Sequence, residues 1–287
     1  MTSNLILFAT RNVKIFFRDR TAVIFSMFGA LAVVALYFLF LGNSLTDSYS
    51  DIPQARQIVD SWAMAGLLAI VPVTSTLGAL GVMIQDKING AIRDLTVSPM
   101  RRYEIAGGYV LSTFFVGLIL SLLALVLAEL YIVSNGGSFL TAVQLIKVIG
   151  IVLLSVISAS AIMFFAALFI TSNNAYSAVS TVVGTMIGFL TGVFIPIGTF
   201  PSTVATVTKL VPASHSASLF RQVMLEGPMG AMSGMPPEEI LQFELDMGVR
   251  FQFGNYLVSA ELSILILVAA AAVFFVLALL KLSVKSK

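Results

Sequence analysis

Six long runs of apolar side chains, almost free of charge, follow one another at about 21–42, 62–84, 105–133, 145–170, 176–197 and 257–281. A helix needs roughly 20 apolar residues to cross a bilayer. Every run meets that length, and the third is long enough to tilt or to extend past the hydrocarbon. None shows the two-residue alternation of a membrane barrel, so the runs predict helices. The pattern predicts an all-α polytopic membrane protein with six spans in one transmembrane domain over 1–287. No gap between the spans is long enough for a separate large domain.

Composition excludes the soluble classes. Hydrophobic residues make up 58% and charged residues 10% of the chain, far from the usage of a soluble domain. The absence of cysteine removes disulfides and thiolate metal sites. The first apolar run is longer than a signal-peptide core and is not followed by a small-residue cleavage pattern, so an uncleaved N-terminus is expected.

The charges sort by gap. With six spans, 1–20, 84–105, 171–176 and 281–287 share one side. These segments hold Arg11, Lys14, Arg18, Arg20, Lys87, Arg93, Arg101, Arg102, Lys281, Lys285 and Lys287, which are 11 of the 16 basic residues. The positive-inside rule then makes both termini cytoplasmic. Asp47, Asp51, Asp60, Glu226, Glu238, Glu239, Glu244 and Asp246 fall on the other side. This asymmetry accounts for the basic residues without nucleic acid as a partner.

Residues 5–18 place Ile6, Ala9, Val13, Phe16 and Phe17 on one helical face and Arg11, Lys14 and Arg18 on the other. Such a helix lies in a membrane surface, with lipid as its partner. Two readings fit: a basic anchor that fixes topology, or an elbow helix (1–20) whose Arg11, Lys14, Phe17 and Arg18 hold the first span and touch a cytoplasmic partner.

The loop 85–104 reads QDKINGAIRDLTVSPMRRYE. Ile88, Ala91, Ile92 and Leu95 share a face, while Asp86, Arg93 and Asp94 project elsewhere. Gly90 predicts a break where the second span ends and a short crossing helix begins. Pro99 predicts the turn before the third span. An interfacial connector and a docking element both fit these residues.

The order Asp86, Gly90, Arg93-Asp94-Leu95, Ser98-Pro99, Arg102-Tyr103-Glu104-Ile105 resembles the first cytoplasmic loop of type-2 ATP-binding-cassette (ABC) exporter permeases, the family similar to daunorubicin and multidrug-efflux membrane subunits. Two departures are modest: the leading acid is an aspartate, and Ala91 stands where threonine is common. The resemblance implies a coupling helix that docks on an ATPase subunit through Asp86, Gly90, Ile92, Arg93, Asp94, Leu95, Pro99 and Arg102.

The stretch 192–222 carries Pro196 and Pro201, expected to break the fifth span near its outer end, and then Val204, Val207 and Val211 at helical spacing before Pro212. Broken backbone at membrane depth must be satisfied by protein or water. An ordinary proline-rich loop also fits. Gly192, Phe194, Pro196, Pro201, Pro212 and Arg221 follow the family order, with Val211-Pro212 in place of the commoner Asn-Pro. The resemblance implies external re-entrant helices (within 198–256) that cap the exit, with Phe194, Pro196, Pro201 and Pro212 as outer-gate candidates. His215, the only histidine, has no companion ligands, and its expected role is structural. Residues 227–235 read as flexible and Pro236–Arg250 as a small outer helix.

Gly184, Gly188 and Gly192 recur every fourth residue, a stripe where another helix can approach closely. Thr74, Ser75 and Thr76 follow Pro72 in the second span. The fifth carries Ser177, Ser180, Thr181 and Thr185. Hydroxyls satisfy kinked backbone. The resemblance adds that these two spans line a cavity between two permeases.

No charge sits at the middle of any span, and Glu129 and Glu261 lie near outer ends. Ion-driven transporters usually need intramembrane carboxylates. No glycine is followed by lysine, so the chain has no Walker A loop and no ATPase chemistry of its own. The resemblance therefore implies a non-enzymatic permease in the bacterial plasma membrane. Two such subunits, identical or related, would work with two ABC ATPase subunits that bind ATP and Mg. The cargo would be amphipathic or hydrophobic and move by alternating access. An ion-coupled secondary efflux transporter and a non-transporting scaffold or immunity protein are the alternatives.

Overall fold

The computed structural model describes residues 2–49, 52–97 and 100–284. Asp51, Ser98, Pro99, Lys285 and Lys287, which the sequence reading used, lie outside them. Helix α1 is Thr2–Arg18. Helix α2 (Arg20–Leu36) runs through a wider π-type turn, Tyr37–Leu41, into α3 (Gly42–Ser48). Then come α4 (Ala55–Ile88), α5 (Ala91–Val97), α6 (Arg102–Ser134), α7 (Ala142–Ala167), α8 (Asn173–Leu190), α9 (Ser202–Leu210), α10 (Pro212–Met224) and α11 (Pro237–Asp246). A two-residue hairpin, β1 (Gln252–Phe253) and β2 (Tyr256–Leu257), precedes α12 (Ala260–Val284).

Among the described residues, five helices are long and apolar enough to cross a membrane: Arg20–Ser48, Ala55–Ile88, Tyr103–Ser134, Ala142–Ala167 and Ala260–Leu282. The run expected as a span at 176–197 is α8. It has 18 residues, about 27 Å at ~1.5 Å each. Two asparagines open it and hydroxyls run along it, which keeps it out of that set.

Helix α4 is the centre. Its most apolar window is 78% buried, against 22% for α12, and it packs against α2, α6, α7, α8 and α10. Pro72 sits inside it and removes a backbone donor. One turn on, the Ser75 and Thr76 hydroxyls donate back to Val71 O at 2.6 Å and Pro72 O at 2.7 Å.

The end of α8 differs from expectation. The helix stops at Leu190, well before Pro196 and Pro201. Gly192 adopts φ +69°, and two bonds close the end, Gly192 N to Phe189 O and Val193 N to Gly188 O. This is a left-handed glycine cap. Gly192 therefore lies outside the helix, and the three-glycine stripe is not continuous. Pro212 opens α10 at its first turn, where a missing N–H costs nothing.

Candidate functional site

The two ends of the bundle carry different chemistry. At one end, Gly90 (φ +82°) turns the chain from α4 into α5, as the break at that residue predicts. Two residues beyond α5 that are described, Met100 and Arg101, lead to α6. There the Glu104 carboxylate accepts from Arg101 N at 2.7 Å and closes the first turn of α6. Helix α5 lays Leu95 against a core of Phe8, Leu80, Met83, Ile84, Ile105 and Tyr109, joined by Ile88 and Met100. Asp94 and Val97 face outward.

Asp86 does not project outward, contrary to the sequence reading. It is buried on the last turns of α4. Arg11 of α1 grips it with both ends of its guanidinium, at 2.5 and 3.1 Å, and Tyr109 of α6 donates to it at 2.8 Å. The bond to Asp86 raises the Arg11 pKa above its ordinary value. Three helices thus meet on one carboxylate. Lys87, the next residue, reaches the end of α7 at Leu168 O (3.2 Å) and Ile170 O (2.5 Å). Lys281 of α12 lies 4.9 Å from the ring centroid of Phe169. The basic residues of separate gaps therefore gather at one end, as the charge pattern predicts.

The buried face of α1 also differs from the reading. Phe8, Ala9, Asn12 and Phe16 are buried, Val13 and Phe17 half-buried, and Ile6 is exposed. Lys14 and Arg18 remain exposed, as read.

At the opposite end, α10 runs beside α7. Ser216 meets Ser155 at 2.8 Å, and Glu226 pairs with Lys147 at 2.8 Å. Arg221 of α10 is fully buried. Its Nη2 donates to Gly192 O at 3.1 Å and its Nη1 to Gly248 O at 3.4 Å. Gly66, Gly192 and Gly248 leave it room, because a Cβ on any of them would crowd the guanidinium or its neighbours. Trp62 donates to Met247 O at 2.5 Å, Tyr37 to Val193 O at 2.8 Å and Ser218 to Val249 O at 2.7 Å. The segment beyond α10 is therefore strapped to the core. Met232 is buried in the core, and Met229 and Met235 pack against the same core, so the methionines of 227–235 are seated on the bundle. His215 bridges Ser263 at 3.1 Å and Lys209 O at 2.9 Å.

The polar candidates divide. Ser75 and Thr76 are fully buried within this one chain, so they bond their own helix and do not face a cavity. Thr74 is half-buried. On α8, Thr181 and Thr185 are exposed and Ser180 is half-buried. Gly184 has open space where a Cβ would stand, whereas Gly188 is covered by the ring of Phe194. Pro196, Pro201 and Pro212 begin or flank short helices between α8 and α10.

Tyr109 and the buried setting of Arg221 are missing from the sequence reading. Arg221 reads as a loop cation because nothing local marks it as enclosed. The lone tryptophan, Trp62, is a faint signal for it, since aromatic faces attract guanidinium. A family model described as ABC-2 family transporter protein matches residues 43–280. A search of curated proteins gives no match.

Proposed function

Because the chain belongs to the ABC-2 transporter family, whose members are membrane transport components, we propose that it is the permease subunit of an ATP-driven exporter. A partner ATPase, with its ATP and Mg, docks beneath α5. The observation that carries this is the bracket on Asp86. A docking element transmits force only if it is stiff and tied to the spans. Here α5 follows α4 through only Asn89 and Gly90, packs Leu95 into the core, and has α4 pinned beside it to α1 and α6. Asp94 and Val97 form the exposed side that meets the ATPase, with Arg93 on the same short helix.

In this reading α1 is the elbow helix, α8 is the fifth of six spans, and α9 with α10 is a re-entrant pair that caps the exit. The exposed hydroxyls Thr181 and Thr185 and the open surface at Gly184 face a second permease, identical or related. The cavity between the two carries an amphipathic or hydrophobic cargo outward.

The test is a double replacement of the exposed Asp94 and Val97 by alanine. Copurification with the ATPase and ATP-driven efflux from vesicles are expected to fall to background, with the melting point of the purified permease little changed. Full efflux by that variant sinks the proposal.

A further inference from the structure

The end of the bundle that carries Arg221 also holds a cavity of about 190 Å³, lined by Gln54, Gln57, Ser61, Glu129, Gln144 and Pro228 among others. It lies where the start of α4 meets the last turns of α6. Its volume is below the ~300–1,000 Å³ of pockets for drug-sized ligands, so a small group fits. The Glu129 carboxylate is incompletely served there. Oε2 accepts from Leu140 N at 3.0 Å, while Oε1 is buried with no hydrogen-bond partner. Among the described residues no basic side chain pairs with Glu129: the nearby Arg56 binds Asp60, and Lys147 binds Glu226. A buried carboxylate oxygen without a donor is costly.

The remaining lining supplies neutral acceptors. The Gln57 amide nitrogen donates to Gly136 O at 3.0 Å, which leaves its carbonyl oxygen to accept. Gln54 is the one described non-glycine residue with positive φ, at 58°, and its side chain does not cap α4. Held strain of this kind concentrates at functional positions. A divalent metal is a poor fit, since no group of three or more His, Cys, Asp or Glu gathers among the described residues. One carboxylate with several neutral oxygens suits a group carrying a single charge and several N–H donors.

We propose that this cavity binds a small primary ammonium group, with Glu129 as its counter-ion and the Gln54, Gln57 and Ser61 oxygens as its further acceptors. The site does not depend on the transport reading.

The test titrates ethylammonium chloride, at matched ionic strength, into the full-length protein in phosphatidylcholine nanodiscs, with sodium chloride and ethanol as controls. Saturable heat of binding is expected from ethylammonium alone. Glu129→Gln should weaken it by about tenfold or more, the scale of one charged hydrogen bond. The amide oxygen still accepts from Leu140, so the fold should persist. Ser138→Trp, at the mouth of the cavity, keeps the carboxylate and should also abolish binding. Repeating the titration in phosphatidylethanolamine nanodiscs separates sources. Weakened binding there supports the ammonium site with a lipid headgroup as occupant, and unchanged binding supports it with a soluble amine. No saturable binding to the wild type, equal binding by sodium, or undiminished binding to Glu129→Gln overturns the proposal.

Discussion

The guanidinium of Arg221 lies over the indole of Trp62, 4.6 Å from the ring centroid, and takes two backbone carbonyls in place of a carboxylate. A buried cation needs partners to offset its lost hydration. Here it has a π face and the carbonyl oxygens of Gly192 and Gly248. Those two carbonyls belong to the end of α8 and to the chain beyond α11, so one side chain joins three separate segments.

Replacing Arg221 by methionine removes that junction and leaves the carbonyls without donors. A loss of about 2–4 kcal/mol is expected. Trp62 is the only tryptophan, so its fluorescence during thermal unfolding in detergent reads the change at the site itself. A melting point equal to that of the wild type contradicts this account.

The Arg11–Asp86–Tyr109 bracket predicts non-additive effects. Arg11→Gln and Asp86→Asn should each loosen α1 from α4, and the double variant should be little worse than either alone. The coupling energy is expected near 1 kcal/mol, the low part of the ~0.5–3 range for contacting pairs, because the Arg11 side chain is 42% exposed and water screens it. A double-mutant cycle on melting points measures it. Strict additivity removes the bracket from the picture.

The glycines of α8 should behave oppositely. Gly188→Ala drives a methyl group into Phe194 and should cost about 1–3 kcal/mol. Gly184→Ala meets open space within the chain and should be neutral or gain a few tenths in helix propensity, up to about 1 kcal/mol. Melting of both variants decides. A neutral Gly188→Ala argues against the seat of Phe194.

Glu244 gives a pH effect of known sign. Burial raises its pKa above the ordinary carboxyl value, and Arg250 only partly opposes this. The folded state therefore holds its proton to higher pH than the unfolded state does. Ionising Glu244 weakens folding above the raised pKa and has no effect below the ordinary one. Glu244→Gln should protect α11 amides from hydrogen exchange more than the wild type at neutral pH. That difference should close as pH falls through the carboxyl range, and a difference that grows on acidification refutes it.

The apolar runs were enough to place five of the long helices, because length and hydropathy are properties of the chain alone. Gly90 was legible for a related reason: a glycine between two helical patterns has few other uses. The end of α8 was not legible. Prolines at 196 and 201 look like stronger breakers than a glycine at 192, yet the left-handed cap acts first along the chain. Asp86 reads as an exposed acid until Arg11 and Tyr109, 75 and 23 residues away in sequence, are brought to it. Ser75 and Thr76 read as a polar lining, and only packing shows that they are enclosed, with their hydroxyls turned back onto their own helix. The Asp86 miss concerns a contact between distant segments, which no local pattern encodes.

Helix α4 has 34 residues, roughly 51 Å at ~1.5 Å rise. Gln57 and Ser61 stand at one end and Asp86 at the other. The helix runs through Pro72 without interruption. A tilt imposed at Asp86 is then felt at the cavity around Glu129. Linkage is reciprocal: if docking beneath α5 alters the cavity's affinity for its occupant, the occupant alters docking by the same factor. A solute at one end of α4 would thereby gain a vote in what binds at the other.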